Sequence, residues 1–268
     1  MSVTYDNAPL IEIVAELRWA QGFTHPGVGT NGTVFALSFG QPSSEQFFLS
    51  FANEIASDGF LRSERLVPVG LPAVINQPAV RFRRDGVGSS SMLQAGPGFF
   101  SANAVPPYKS WKTFSPEVER GVTALLRSRP DSEREMSFSG LSLRYIDAFG
   151  PAHLNGRSIP EFVRDVLGFE NRFPTAIARR AQQGDLPDSF LQFSLALDDR
   201  MRLQGSVGQA IVNQSRSALL DLTAIHVGEV APKTDDVMQA FGRARDFLHE
   251  TFVEMTESIH ALMKPGGV

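Results

Sequence analysis

Apolar and polar residues alternate in the first well-defined element of the chain. In "NAPLIEIVAELRWAQ", residues 7–21, Ile11, Ile13, Ala15, Leu17 and Trp19 fall on one side of an extended backbone. Glu12, Val14, Glu16 and Arg18 fall on the other. A helical stripe through Leu10, Ile13, Val14 and Leu17 competes with this reading. The β-branched Ile11, Ile13 and Val14 decide for a strand, because they suit a pleated, half-buried surface, and Pro9 is tolerated at its start. "FTHPGVGTNGTV" then reads as a hairpin loop closing on Asn31-Gly32, with "TVFALSF" as the returning strand.

The period then changes. "SSEQFFLSFANEIASDGF" places Phe47, Phe48, Phe51 and Ile55 on one helical face, with a serine cap before it and Gly59 after it. Residues 66–105 are β-like and punctuated by Pro and Gly. "SPEVERGVTALLRSRP" predicts a second helix, capped by Ser115 with Pro116 at its first position, turning Val118, Val122, Leu125 and Leu126 inward. "MSFSGLSLRYIDAF" predicts a strand, and "SIPEFVRDVLG" a short helix with capping-box spacing from Ser158 to Glu161. Residues 169–184 carry a weak helical signal.

In the last third, Leu191, Phe193, Leu195 and Leu197 alternate with polar neighbours. A turn at Asp198-Asp199 leads back through Met201 and Leu203, and "SALLDLTAIHV" supplies a further strand. A long helix is predicted from Thr234 to Met263. Met238, Phe241, Leu248, Phe252, Met255, Ile259 and Leu262 keep heptad-like spacing, interrupted only by Arg245. At ~1.5 Å per residue it would span about 40 Å. It can lie across a sheet or pair with another long helix, in a homodimer or in a different protein. The expected fold is α+β, with largely antiparallel sheet covered by helices. One domain over 1–268 is expected, with subdomains over 1–150 and 186–268 as the alternative. A pattern of three strands followed by a helix, over 73–128 and 190–263, raises an internal duplication.

Composition narrows the chemistry. The chain has 268 residues, no cysteine, 21 Phe against 3 Tyr and 2 Trp, and a net charge of −4. Lack of cysteine removes disulfides and thiolate chemistry, and the acidic balance argues against a nucleic-acid binder led by phosphate contacts. "MSVTYDNAPL" has no signal-peptide pattern and no apolar run reaches membrane-spanning length, so a cytoplasmic protein is expected.

No catalytic constellation stands out. "GVGTNG", residues 27–32, fits a dinucleotide-binding glycine pattern, but a strand follows where a helix is needed. The histidines His25, His153, His226, His249 and His260 show no i, i+4 metal-ligand spacing, and neither a cofactor nor a metal is expected. Asp147 and Asp221 are acids embedded in apolar strands. They are either a carboxylate centre, as in a metal-dependent nuclease, or partners for a neighbouring arginine such as Arg144. The densest polar-aromatic group is "PYKSWK", with Tyr108, Lys109, Trp111 and Lys112, to which "RFRR" adds Arg81, Arg83 and Arg84. Tyr, Trp and Arg are enriched at binding hot spots, so these seven residues are the candidate partner-binding surface.

"NAPLIEIVAELRW", "PYKSWKTF", "LSLRYIDAF", "LLDLTAI" and "LHETFVEMTESI", taken in order along the chain, resemble a sporadically distributed bacterial family that opens on Asn-Ala-Pro-Ile/Leu-x-Glu. Ala15 stands where that family has an aromatic residue. The resemblance implies one α+β unit in the bacterial cytoplasm and an accessory locus such as defence or toxin–antitoxin systems. It brings no catalytic residue or ligand. The function expected is therefore non-enzymatic protein binding or assembly, with a carboxylate enzyme and a chaperone-like protein as alternatives.

Overall fold

A computed structural model describes residues 5–19, 42–68, 71–84, 90–106, 110–170, 174–180, 190–197 and 200–265. Among the described residues, nine strands hydrogen-bond into one antiparallel sheet: β1 Leu10–Arg18, β2 Arg62–Arg65, β3 Val80–Arg83, β4 Ser91–Gly96, β5 Phe99–Ala104, β6 Gly140–Phe149, β7 Leu191–Ala196, β8 Met201–Val212 and β9 Ser215–His226. Their order across the sheet is β2-β3-β4-β5-β1-β6-β9-β8-β7. The helices are α1 Pro42–Ala56, α2 Trp111–Ser128, α3 Pro151–Leu154, α4 Ile159–Asp165, α5 Thr175–Ala178, α6 Thr234–Met255 and α7 His260–Met263. The fold is α+β.

One arrangement occurs twice. β1 leads through α1 into the β2–β5 meander, which returns beside β1 and is followed by α2. β6 leads through α3–α5 into the β7–β9 meander, which returns beside β6 and is followed by α6. β1 and β6 pair antiparallel at the centre. The repeat proposed from the pattern over 73–128 and 190–263 is thus present as topology, each unit having a leading strand that the pattern did not reveal.

Strand parity separates the two faces of the sheet. Ile13, Ala15 and Leu17 of β1, Leu141 and Leu143 of β6, and Ala218, Leu220, Leu222 and Ala224 of β9 are buried in one cluster. Phe47, Phe51 and Ile55 of α1, Val118, Val122 and Leu125 of α2, and Val237, Phe241 and Leu248 of α6 belong to the same cluster. Most of the phenylalanines named in it form the ring lattice of this layer, as with Phe51 against Phe82 and Phe100. Trp19 continues the buried face of β1, as its alternation predicts. Ile11 does not, because the β1–β6 register slips between Leu10 and Glu12, leaving Ile11 as an extra residue at a bulge.

Three helix boundaries depart from the sequence reading, the first being α1, which begins at Pro42 and so holds inside it the serines read as its cap. α2 begins at Trp111 with Ser110 as its N-cap, so Pro116 lies inside the helix rather than at its start. The helix tolerates it because the missing N–H would have bonded the carbonyl of Lys112, an exposed residue. α6 runs unbroken through Gly242 but ends at Met255. The Thr256 hydroxyl donates to the Phe252 carbonyl at 2.7 Å, and a 3₁₀ turn, Glu257–Ile259, leads into α7. The redirected chain buries Ile259 and Met263. The strand β2, "RSER", carries no apolar alternation that would have announced it. The capping box at Ser158 and Glu161 is present as predicted. The 27–32 loop, the "TVFALSF" strand and the Asp198-Asp199 turn lie outside the described residues.

Candidate functional site

The face of the sheet opposite the helices carries the polar half of each alternation. Cross-strand register assembles two rows on it. One runs Glu64, Arg81, Gln94, Ser101, Glu16, Ser142, Ile225 and Arg202; the other runs Arg83, Met92, Asn103, Val14, Arg144, Thr223, Gln204 and Ser194. Over β4 and β5 these side chains are buried and satisfy one another. The Ser101 hydroxyl lies 2.8 Å from Asn103 Oδ1 and 3.1 Å from Gln94 Oε1, and Asn103 Nδ2 donates to Glu12 Oε1 at 2.9 Å.

From β1 across to β7 the same face opens into a trough of about 770 Å³. Glu16, Arg18, Ser142, Arg144, Ser194, Gln192, Gln204, Ser206, Asp221 and Thr223 line it, together with the apolar Val14, Leu141, Phe193 and Ile225. At its centre Arg144 holds Asp221 through two parallel hydrogen bonds, Nε to Oδ1 at 2.8 Å and Nη2 to Oδ2 at 2.5 Å. The bond to Asp221, with the nearby Glu12 and Glu16 carboxylates, holds the guanidinium above its ordinary pKa against the opposing effect of burial. Arg18 bonds Glu16 at 2.7 Å. The trough therefore presents paired charges among hydroxyl and amide groups, a surface able to exchange hydrogen bonds with a polar partner.

Of the seven residues singled out in the sequence, the five that are described do not form one patch. Arg81 and Arg83 lie on the trough face of β3, where Arg81 pairs with Glu64 at 3.3 Å. Arg84 lies with the helices, bonded to Glu117 at 2.9 Å and stacked 4.7 Å over the Phe60 ring. Trp111 opens α2, half-buried against the core with Phe114 at 6.0 Å, and Lys112 beside it is exposed. Tyr108 and Lys109 lie outside the described residues.

The two acids are separated as well. Asp221 pairs directly with Ile146, so Asp147, one residue on, projects from the other side of the sheet. The arginine partner foreseen for Asp221 is there. Asp147 is buried among the helix-side residues, where desolvation, with a smaller push from the Asp221 charge, raises its pKa to about 8. A shared two-carboxylate centre is not built. Among the described residues no three His, Asp or Glu side chains group as metal ligands, and no helix is long and apolar enough to cross a membrane.

The opening motif has a structural reading. The Asn7 N–H donates to the Met263 carbonyl at 2.9 Å, and its Nδ2 donates to the Leu262 carbonyl at 3.1 Å. The Asn7 carbonyl accepts from His153 Nε2 at 2.9 Å. The Pro9 carbonyl accepts from the Ala148 N–H, and Glu12 takes the Asn103 bond. Asn7, Pro9 and Glu12 thus tie the start of β1 to α7, α3, β6 and β5. Since a carbonyl only accepts, His153 carries a proton on Nε2, and its buried Nδ1 has no hydrogen-bond partner among the described residues.

Compared with known proteins, the chain matches no family model, no curated protein and no solved structure. The functional reading rests on the site itself.

Proposed function

We propose that this chain is a non-enzymatic binding protein that receives a protein partner on the polar trough of its sheet, as a component of a bacterial accessory system. The accessory role follows the family resemblance. The binding role follows from one observation: helices pack on one face of the sheet, while the other keeps an open trough of hydrogen-bonding side chains around the Arg144–Asp221 pair. Arg81 and Arg83 extend the same face toward β2. The separation of Asp147 from Asp221 takes away the geometry that a two-carboxylate nuclease would need. A chaperone-like reading asks for an open apolar groove, whereas apolar residues in this trough alternate with an ion pair and hydrogen-bonding side chains.

The test is affinity capture with the purified chain as bait, followed by binding measurements on the protein captured. Arg144→Ala and Thr223→Lys should melt like the parent and bind at least about thirtyfold more weakly, the loss typical of a central anchor. Lys112→Ala, on the helix side, should bind as the parent does. Full affinity in both trough variants would refute the proposal.

A further inference from the structure

The two ends of the sheet are finished differently. β2 is short, fully exposed and charged at Arg62, Glu64 and Arg65. Arg65 pairs with Glu45 of α1, and Glu64 pairs with Arg81 of β3. These are ordinary devices against edge-to-edge pairing. β7, "LQFSLA", has no charge, proline or bulge. Nothing among the described residues pairs with its outer edge. Leu195 is 51% exposed, and Phe190 just before the strand is 68% exposed.

The register shows what that edge offers. The Leu197 N–H donates to the Met201 carbonyl at 2.9 Å, in line with the β7–β8 pairing. N–H and C=O groups of alternate residues point to alternate sides of a strand, so 191, 193 and 195 serve β8. Gln192, Ser194 and Ala196 turn their backbone groups outward. Side-chain parity places Gln192, Ser194 and Ala196 on the trough face, with Leu191, Phe193 and Leu195 on the helix face.

We infer that β7 pairs with β7 of a second copy of this chain, antiparallel about a two-fold axis through Ser194. In that register Ser194 faces the partner's Ser194, and Gln192 faces the partner's Ala196, so all three outward residues of each strand exchange backbone hydrogen bonds. Phe193, whose own ring lies over Gly205, falls opposite the partner's Leu195. Polar thus meets polar on one face and apolar meets apolar on the other. β7 itself carries no charge, the cation beside it being Arg202 of β8, whose Nη1 donates to the Ser194 hydroxyl at 3.2 Å, and an isologous contact closes at two subunits. The axis stands perpendicular to the sheet, so the two sheets join as eighteen strands. The troughs, each bordered by Gln192 and Ser194, become continuous across the axis. A single six-residue pairing makes a small interface, which places the dimer in the micromolar range.

This inference is independent of the partner proposal and is decided with the purified chain alone. Sedimentation should show a reversible dimer at micromolar concentration. Ser194→Pro removes an outward N–H without touching the β8 ladder. It should melt within a few degrees of the parent and raise the dimer Kd at least thirtyfold. Hydrogen exchange at Gln192, Ser194 and Ala196 should slow as concentration rises, while exchange at Phe193 and Leu195 should not. Because the chain has no cysteine, Ser194→Cys should oxidise to a covalent dimer, whereas Gln192→Cys, displaced from the axis, should not. A chain that stays monomeric at 1 mM, a Ser194→Pro variant that dimerises as well as the parent, or cross-linking at 192 but not 194 would each overturn it.

Discussion

Asp147 and Asp221 occupy neighbouring strands, one register step apart, in similar apolar sequence contexts. Asp221 projects into the trough, keeps contact with solvent and shares two hydrogen bonds with Arg144. Asp147 projects into the helix-covered layer, where only 4% of the residue is exposed, and burial favours its neutral form. The difference comes from parity alone: a one-residue step along β6 carries a side chain from the hydrogen-bonding face to the apolar one. The same side-chain chemistry thus supports a surface ion pair in one place and taxes stability in the other.

The largest expected effect lies in the helix-covered layer. Phe100 is fully buried, stacks edge-on against Phe51 at 6.0 Å and lies beside Gly121 of α2. Phe100→Ala should cost about 3–5 kcal/mol, enough to leave much of a marginal domain unfolded at physiological temperature. Denaturant melts would read this directly, and a loss under 1 kcal/mol would mean that the two faces are less different than their burial implies.

Asp147→Asn sharpens the comparison with the opposite sign. Between pH 3.8, the ordinary value, and about 8, the folded chain retains a proton that the unfolded chain gives up. Stability contributed by the neutral form is therefore whole below the lower pH, falls as pH rises through this window, and levels off above it. Removing the titration should stabilise the fold by about 2–4 kcal/mol at pH 8 and by almost nothing at pH 4. Melts of both proteins across that range would show parent and variant converging in acid; parallel curves would show that Asp147 ionises as it does in the unfolded chain.

A smaller effect belongs to Gly205 of β8, which sits under the Phe193 ring of β7. A Cβ added there would stand 2.2 Å from Phe193 Cζ, so the ring must move. Gly205→Ala should cost about 1–3 kcal/mol by overpacking. Combining it with Phe193→Ala should recover part of the loss, and a double-mutant cycle with no coupling would separate the two residues.

The alternation that separates these faces was legible at the start. The buried and exposed sets of β1 follow the sequence pattern from Glu12 to Trp19, and the helix containing Phe47, Phe51 and Ile55 was announced by its apolar face. Other features were not legible, for physical reasons. The Ile11 bulge arises from pairing with β6, which local pattern does not encode. The bend at Thr256 comes from a side-chain bond to a carbonyl one turn back, in a stretch whose apolar spacing continues past it. The trough depends on register across five strands: Glu16, Ser142 and Ile225 are far apart in the chain and become neighbours only when β1, β6 and β9 align. The aromatic-basic stretch "PYKSWK" drew attention by composition, yet Trp111 is half-buried at the start of α2. The serines, threonines and glutamines of the trough stand among residues of ordinary composition. Buried Arg129, between the Trp19 and Phe138 rings at 5.0 and 5.1 Å, also gave no sign in "LLRSRP".

The smallest expected change in stability carries the most information about function. Arg144→Ala removes the cationic half of the trough's central pair. The guanidinium side chain is 46% exposed, so the lost attraction is screened by solvent, and the fold should weaken by less than about 1 kcal/mol. Asp221 would be left with its side chain only 16% exposed and no longer bonded to Arg144. Asp221→Asn in the same background should therefore return part of any loss. Binding should respond far more strongly, because a partner seated in the trough would face an unneutralised carboxylate at its centre and lose the planar donor that Arg144 presents. If the trough is where the partner sits, Arg144→Ala should bind at least about thirtyfold more weakly and Arg144→Lys at least about tenfold, since lysine keeps the charge but not the paired donors. If Arg144 serves only to neutralise Asp221, Arg144→Lys should bind like the parent. Titration of both variants against the captured partner, beside thermal melts showing them folded, distinguishes recognition by the guanidinium from simple charge balance.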